Sequence, residues 1–183
     1  MINATDGRHE IAIRVRTIMQ LFDSLDPSPF RERDLDPHAE EFVVEWAREL
    51  PRGAPLTIVV ELPPEEAAKP EAAAIGEAFA NYFRYRMEAA QSELRELFRV
   101  GWRWGVIGFA VLAVCLVGSQ VVAKTVADET AARVIEESLI ILGWVANWRP
   151  IETYLYDWWP IWRRILLFRR IMAAPVQVRA SAK

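Results

Sequence analysis

Trp104–Ala123 reads WGVIGFAVLAVCLVGSQVVA, twenty residues without a formal charge, fenced by Arg103 and Lys124. At the helical rise of about 1.5 Å it covers about 30 Å, the thickness of a bilayer's hydrocarbon core. Only Ser119 and Gln120 are clearly polar. A buried core helix is seldom so long, so the stretch predicts a transmembrane helix.

Charge is sorted around that span. From Asp6 to Glu66 there are 14 acidic residues against seven Arg. Arg84, Arg86, Arg95, Arg99 and Arg103 precede the apolar run, and Arg149, Arg163, Arg164, Arg169 and Arg170 follow it. An acidic head on a basic collar argues against nucleic acid as a partner and suits anionic lipid headgroups. Of the eight Trp, all but Trp46 lie at 102, 104, 144, 148, 158, 159 and 162, the placement of interfacial aromatic belts. The polar Met1–Glu10 stretch predicts no cleavable signal. Cys115, the single cysteine, reads as a small apolar filler.

Before the membrane lies a predicted head, residues 1–70. Alternation of Ile11, Ile13, Val15 and Thr17 predicts a strand over about Glu10–Ile18. The Asp/Pro-rich stretch 23–37 predicts a loop, ending in Asp36 as helix N-cap and Pro37 at the first helical position. Ala39, Phe42, Val43, Trp46, Ala47 and Leu50 form a helical stripe that Pro51 and Gly53 stop. Leu56–Leu62 reads as a buried strand and Pro63–Pro70 as a linker. Strand–helix–strand order implies a parallel pair with a right-handed crossover. Two strands rarely suffice alone, so the tail or a second copy must complete the sheet. The weak alternation of Pro175–Ala180 favours a frayed terminus over a strand.

A stalk helix over 71–101 keeps its 3.6 period to Leu97 and runs without a break into the first span. The transmembrane hairpin covers 102–149, with a polar turn over Lys124–Arg133. Its second span reads as starting near Val134, because only 11 residues, about 16 Å, separate Glu137 from Arg149. Ser119, Gln120, Arg133, Glu136 and Glu137 are the candidate intramembrane polar groups, with Arg133 one turn from both glutamates. The favoured placement leaves the glutamates at the outer headgroups. Gly101, Gly105, Gly108, Gly143 and Ala146 are candidate helix contacts.

Residues 150–174 predict a basic amphipathic helix lying on the membrane, followed by the tail, 175–183. Arg149, Glu152, Asp157, Trp158, Trp159, Arg163 and Arg164 form a candidate interfacial lock. The fold class is thus an α+β head of β-α-β-α order, continuous with a two-helix transmembrane hairpin and an amphipathic C-terminal helix. The flanking Arg excess puts head and tail in the cytoplasm.

No catalytic, cofactor or metal signature emerges. The two His and one Cys have no metal-ligand spacing, and Asp23, Asp26, Asp34 and Asp36 lack an EF-hand's spacing and glycine. With Phe30, those aspartates form a candidate docking loop. The segments Leu21–Asp36 (LFDSLDPSPFRERDLD), Glu45–Leu50 (EWAREL) and Trp148–Pro160, with its WRPIE and YDWWP, resemble an uncharacterised family of small bacterial inner-membrane proteins. The resemblance covers most of the chain, implies a bacterial inner membrane and transfers no catalytic residue. The expected function is a non-enzymatic membrane scaffold or adaptor that forms homo-oligomers and offers its acidic head to a cytosolic protein. The alternative is a subunit of an oligomeric channel or ion-coupled transporter using Glu136 and Glu137.

Overall fold

The computed structural model describes residues 2–5, 8–51 and 53–181. They form two compact units, 1–90 with 163–183, and 91–162.

The first unit is built on a sheet of strands β1 (Ile2–Thr5), β2 (Arg8–Arg14), β3 (Leu56–Leu62) and β4 (Val176–Ala180), hydrogen-bonded in that order. β1 is antiparallel to β2, whereas β2, β3 and β4 are mutually parallel. Parallel neighbours need long crossovers. Helix α1 (Pro37–Glu49) joins β2 to β3, and every later helix lies between β3 and β4. Asp36 caps α1 by accepting from the N–H groups of His38 (2.9 Å) and Ala39 (3.4 Å). Beyond α1, Gly53 takes φ +89°, a left-handed conformation that other residues reach only with strain.

β2 is shorter than its alternation predicts. The Val15 N–H still reaches Glu61 (3.1 Å), but β3 ends at Leu62 and Pro63 offers no N–H, so Thr17 has no ladder to join. The chain instead turns through a 3-10 helix, Ile18–Leu21, whose first N–H is taken by Glu66 (3.1 Å). Glu66 and Pro63 lie in the predicted linker, which contains a single helical turn, α2 (Pro64–Ala67).

The tail is a correction to the frayed terminus expected from sequence. β4 pairs with β3 from Val176 opposite Ile58 to Ala180 opposite Leu62. Val176 packs towards α3 (Pro70–Thr125), 3.6 Å from where a Cβ on Gly76 would stand. Register then puts Ile11, Ile13, Ile58 and Val60 on that same face, and all four are buried. On the opposite face Arg179 grips Glu10 through two hydrogen bonds (2.7 and 3.0 Å), reaching across β3 from β4 to β2. Arg14 pairs with Glu61 there at 2.7 Å.

Three helices close the core. Phe79 and Phe83 of α3 are fully buried, and Phe83 meets Phe168 of α6 (Trp158–Met172) at 6.0 Å between ring centroids. Each such side chain contributes about 1.5–3 kcal/mol by leaving water. Arg170 of α6 donates to the carbonyls of Ala54 (2.7 Å) and Ala47 (3.4 Å), the latter in the last turn of α1, where a cation is favoured. α6 therefore differs from the predicted membrane-lying helix. Its apolar stripe, Ile165, Phe168 and Ile171, is buried in the head's own core, while Trp159, Trp162 and Leu166 remain exposed.

The second unit contains the remainder of α3, which runs unbroken for 56 residues. A turn at 126–128 follows, then α4 (Glu129–Ala146), α5 (Trp148–Glu152), a π turn (Thr153–Asp157) and the start of α6. From Glu129 to Met172 these make one bent helix. The second helix thus begins five residues before Val134. Asp128 explains why, accepting from the N–H groups of Thr130 (2.9 Å) and Ala131 (3.1 Å) as an N-cap.

Candidate functional site

Within the second unit α3 turns one seam towards the returning helix. Gly101, Gly105, Gly108, Leu112, Cys115, Ser119 and Val122 follow one another at alternating steps of four and three, the spacing of a heptad seam. The opposing line is Ala132, Glu136, Leu139, Gly143, Asn147, Pro150 and Thr153, all buried or half-buried. Contact is close because the glycines allow it. A Cβ on Gly143 would lie 2.7 Å from Leu112 Cδ1 and 3.3 Å from Cys115 Cβ. On Gly108 it would lie 2.8 Å from Asn147 Oδ1 and 3.0 Å from the Ala146 carbonyl, and on Gly101 3.0 Å from Thr153 Cγ2. Gly105 is looser, with Pro150 at 4.0 Å.

Asn147 is the residue that sequence reasoning missed. It is buried, and its Nδ2 donates to the carbonyls of Gly108 (3.0 Å) and Gly143 (2.9 Å), tying the two helices together. The available signal was one amide in the otherwise apolar run from Ser138 to Trp148. A buried amide in apolar surroundings must find partners, and backbone carbonyls beside glycines are exposed enough to serve.

The antiparallel register fixes the level of the polar candidates along the hairpin. Gly101 faces Thr153, Gly108 faces Asn147, and Leu112 faces Gly143. Continued by helical steps, it sets Glu136 beside Ser119 and Glu137 level with Gly118–Gln120. The two glutamates therefore part company. Glu136 is half-buried on the seam, whereas Glu137 points outward and pairs with Arg133 at 3.5 Å. Ser119 is buried with its hydroxyl donating to Leu116 (2.9 Å), and Gln120 is exposed.

At the other end of the unit, Arg149 pairs with Glu152 at 3.1 Å, and Asp157 accepts from the Thr153 hydroxyl at 3.3 Å. Tyr154 stacks on Phe98 (5.7 Å), and Trp158 meets Trp159 edge-on (5.4 Å). Arg163 and Arg164 fall in the first unit and are exposed.

In the head, the Asp/Pro-rich loop is tied by its own carboxylates. Asp26 accepts from the N–H groups of Asp34 (2.7 Å) and Ser28 (2.9 Å), and Asp23 from Leu25 (2.8 Å). The Asp34 N–H, followed by contacts from Ser28, holds the Asp26 carboxyl below its usual range. Burial, with the charges of Asp26 and Asp23 beside it, pushes Asp34 up. Phe30 packs edge-on against Phe22 at 4.7 Å, and Asn81 donates to the Arg31 carbonyl at 3.0 Å. Next to this loop Glu40 accepts from the Tyr82 hydroxyl (2.6 Å) and Arg86 (2.7 Å), while Arg86 lies over the Phe168 ring. Burial, then the Glu40 hydrogen bond, raises the Tyr82 phenol well above its ordinary value. Among the described residues no group of His, Cys, Asp and Glu is arranged to hold a metal ion.

α3 is the one described helix long and apolar enough to cross a membrane. Its most apolar stretch is only 17% buried, with Val114 72% and Phe109 68% exposed. No family model, curated protein or solved structure matches the chain.

Proposed function

We propose that this chain is a non-enzymatic membrane scaffold of the bacterial inner membrane. In this reading a two-helix hairpin anchors it, and both the acidic head and the tail lie in the cytoplasm. The observation that carries the reading is the outward apolar surface of 104–123 and of α4, wrapped around a seam that is already packed. Surface of that kind is costly in water and suited to lipid. The Arg excess on the head side favours a cytoplasmic head.

The head's contribution is a shaped surface. Its loop carboxylates are engaged with loop N–H groups, and Leu25, 88% exposed, stands at the tip they hold. An apolar tip ringed by acidic groups suits a basic, partly apolar segment of a cytosolic protein. The seam within one hairpin is closed, with Gly143 against Leu112, so the channel or transporter reading needs a path between copies. Single cysteines at Ser28, Asp128 and Ser181 in a Cys115→Ala background test the topology. Membrane-impermeant thiol reagents should reach Asp128→Cys only from outside, and Ser28→Cys and Ser181→Cys only from inside. Outside labelling at Ser28 or Ser181 would refute it. A photo-crosslinker at Leu25 should give a discrete adduct in cells that Asp26→Ala abolishes.

A further inference from the structure

Where the uncharged run of α3 begins, the helix turns a basic face away from the seam. Gly101 and Gly105 lie on the seam, and Arg103, midway between them in sequence, stands about 180° around the helix. Arg99 and Arg95 follow at steps of four, so three exposed arginines share one outward stripe. Trp102 and Trp104, 68% and 54% exposed, stand about 100° to either side of Arg103.

These arginines are not equally engaged. Arg99 pairs with Glu96, and Arg95 donates to the Ser92 hydroxyl at 2.8 Å. Arg103 has no ion pair or hydrogen-bond partner among the described residues. On the returning helix, by contrast, Arg149 is neutralised by Glu152 at 3.1 Å. Glu96 is the one acid on the stripe, since Glu93 lies about 120° from its centre. Three arginines against one glutamate leave an excess of two positive charges.

We infer that this face binds the phosphate of an anionic phospholipid in the cytoplasmic leaflet, with Arg103 as its main contact and Arg99 as its second. Level decides which arginines take part. Arg103 adjoins the end of the uncharged run, Arg99 stands about 6 Å further along the helix and Arg95 about 12 Å. The headgroup layer is about 5–8 Å thick on each side of a bilayer, so it holds the first two and not Arg95. Trp102 and Trp104 flank the site with amphipathic rings suited to that layer, which a phosphate free in water would not require. A zwitterionic lipid brings a cation of its own to the arginines, whereas an anionic one neutralises their excess. This inference rests on the membrane reading above.

The test uses the full chain with Cys115→Ala, in phosphatidylcholine vesicles. A bimane dye is placed on Val106→Cys, exposed one turn inside Arg103, or on Ile151→Cys, exposed on the returning helix. Quenching by nitroxide-labelled phosphatidylglycerol, against the same amount of nitroxide-labelled phosphatidylcholine, reads the local preference for an anionic lipid. At 106 phosphatidylglycerol should be favoured about fivefold, the equivalent of about 1 kcal/mol for an arginine near anionic lipid. At 151, beside a neutral ion pair, the two lipids should quench alike. Arg103→Gln should bring the preference at 106 down to the value at 151, and Arg95→Gln should leave it unchanged. Quenching of neither dye by either lipid would sink the membrane reading, and this inference with it. Equal quenching by both lipids at 106 would overturn this inference alone and leave the membrane reading standing. So would a preference at 106 that survives Arg103→Gln, or one that Arg95→Gln removes as fully.

Discussion

The same side-chain types face opposite ways in the two units. In the head, Phe79, Phe83, Ile58 and Val60 are buried to 2% exposure or less. In the second unit Phe109, Val114, Trp102 and Trp148 are each at least 68% exposed, and the buried positions belong to Gly, Ala, Cys, Ser, Asn, Pro and Thr. On the membrane reading proposed above, two solvents explain the difference. In water, apolar burial drives folding, so the largest side chains go inside. In lipid that drive is absent between helices, so small residues and interhelical hydrogen bonds make the contact.

The contrast breaks most sharply under truncation. Phe83→Ala should cost the head about 3–5 kcal/mol, whereas Val114→Ala on the hairpin should fall within about 0.5 kcal/mol, like other surface changes. Denaturant titration in detergent, followed separately by head and hairpin probes, measures both. Comparable losses would mean that the two units do not fold in different solvents.

Enlarging a small residue should reverse the ranking. Gly143→Val meets Leu112 and Cys115 at sub-contact distances and should destabilise the hairpin by about 1–3 kcal/mol. Gly118→Ala should be tolerated, because its Cβ would meet Leu139 at an ordinary 3.5 Å. Protease resistance of the hairpin in lipid separates them. Next in size is Asn147→Leu, which removes both cross-helix hydrogen bonds and should cost about 0.6–1.7 kcal/mol, the range of such bonds in membranes.

The smallest effect concerns the tail and pH. The hydrogen bond from Arg179 holds the Glu10 carboxyl below its usual range. A depressed carboxylate contributes stability that is fully present above its unfolded value and is lost as pH falls through the lowered folded one. Hydrogen exchange at Val176–Ala180, corrected for its intrinsic pH dependence, should therefore accelerate in acid. Arg179→Ala should remove that extra dependence, while the Val176 and Val178 contacts keep the strand paired at neutral pH.

Local signals made much of this architecture readable. Asp36-Pro37 marked the start of α1, and the uninterrupted pattern from Glu71 to Ala123 announced one long helix. What stayed hidden depended on partners distant in sequence. Val176 and Val178 are a weak strand until β3 stands beside them, and Ile165, Phe168 and Ile171 look lipid-directed until Phe83 is opposite. Glu136 and Glu137 are adjacent in sequence but separate into seam and outer face only once helical phase and register are known. Asn147 was unreadable for the same reason, since its value lies in the carbonyl of Gly108, 39 residues away.

The central claim is that the outward apolar surface of 91–162 faces lipid. A nitroxide on Val114→Cys in a Cys115→Ala background, reconstituted in vesicles, tests it by collision with dissolved oxygen and with a water-soluble nickel chelate. The account predicts high oxygen accessibility and almost none to nickel at 114, with the opposite pattern for a nitroxide on Ser28→Cys in the head. Nickel accessibility at 114 equal to that at 28 would place this surface in water and contradict the account.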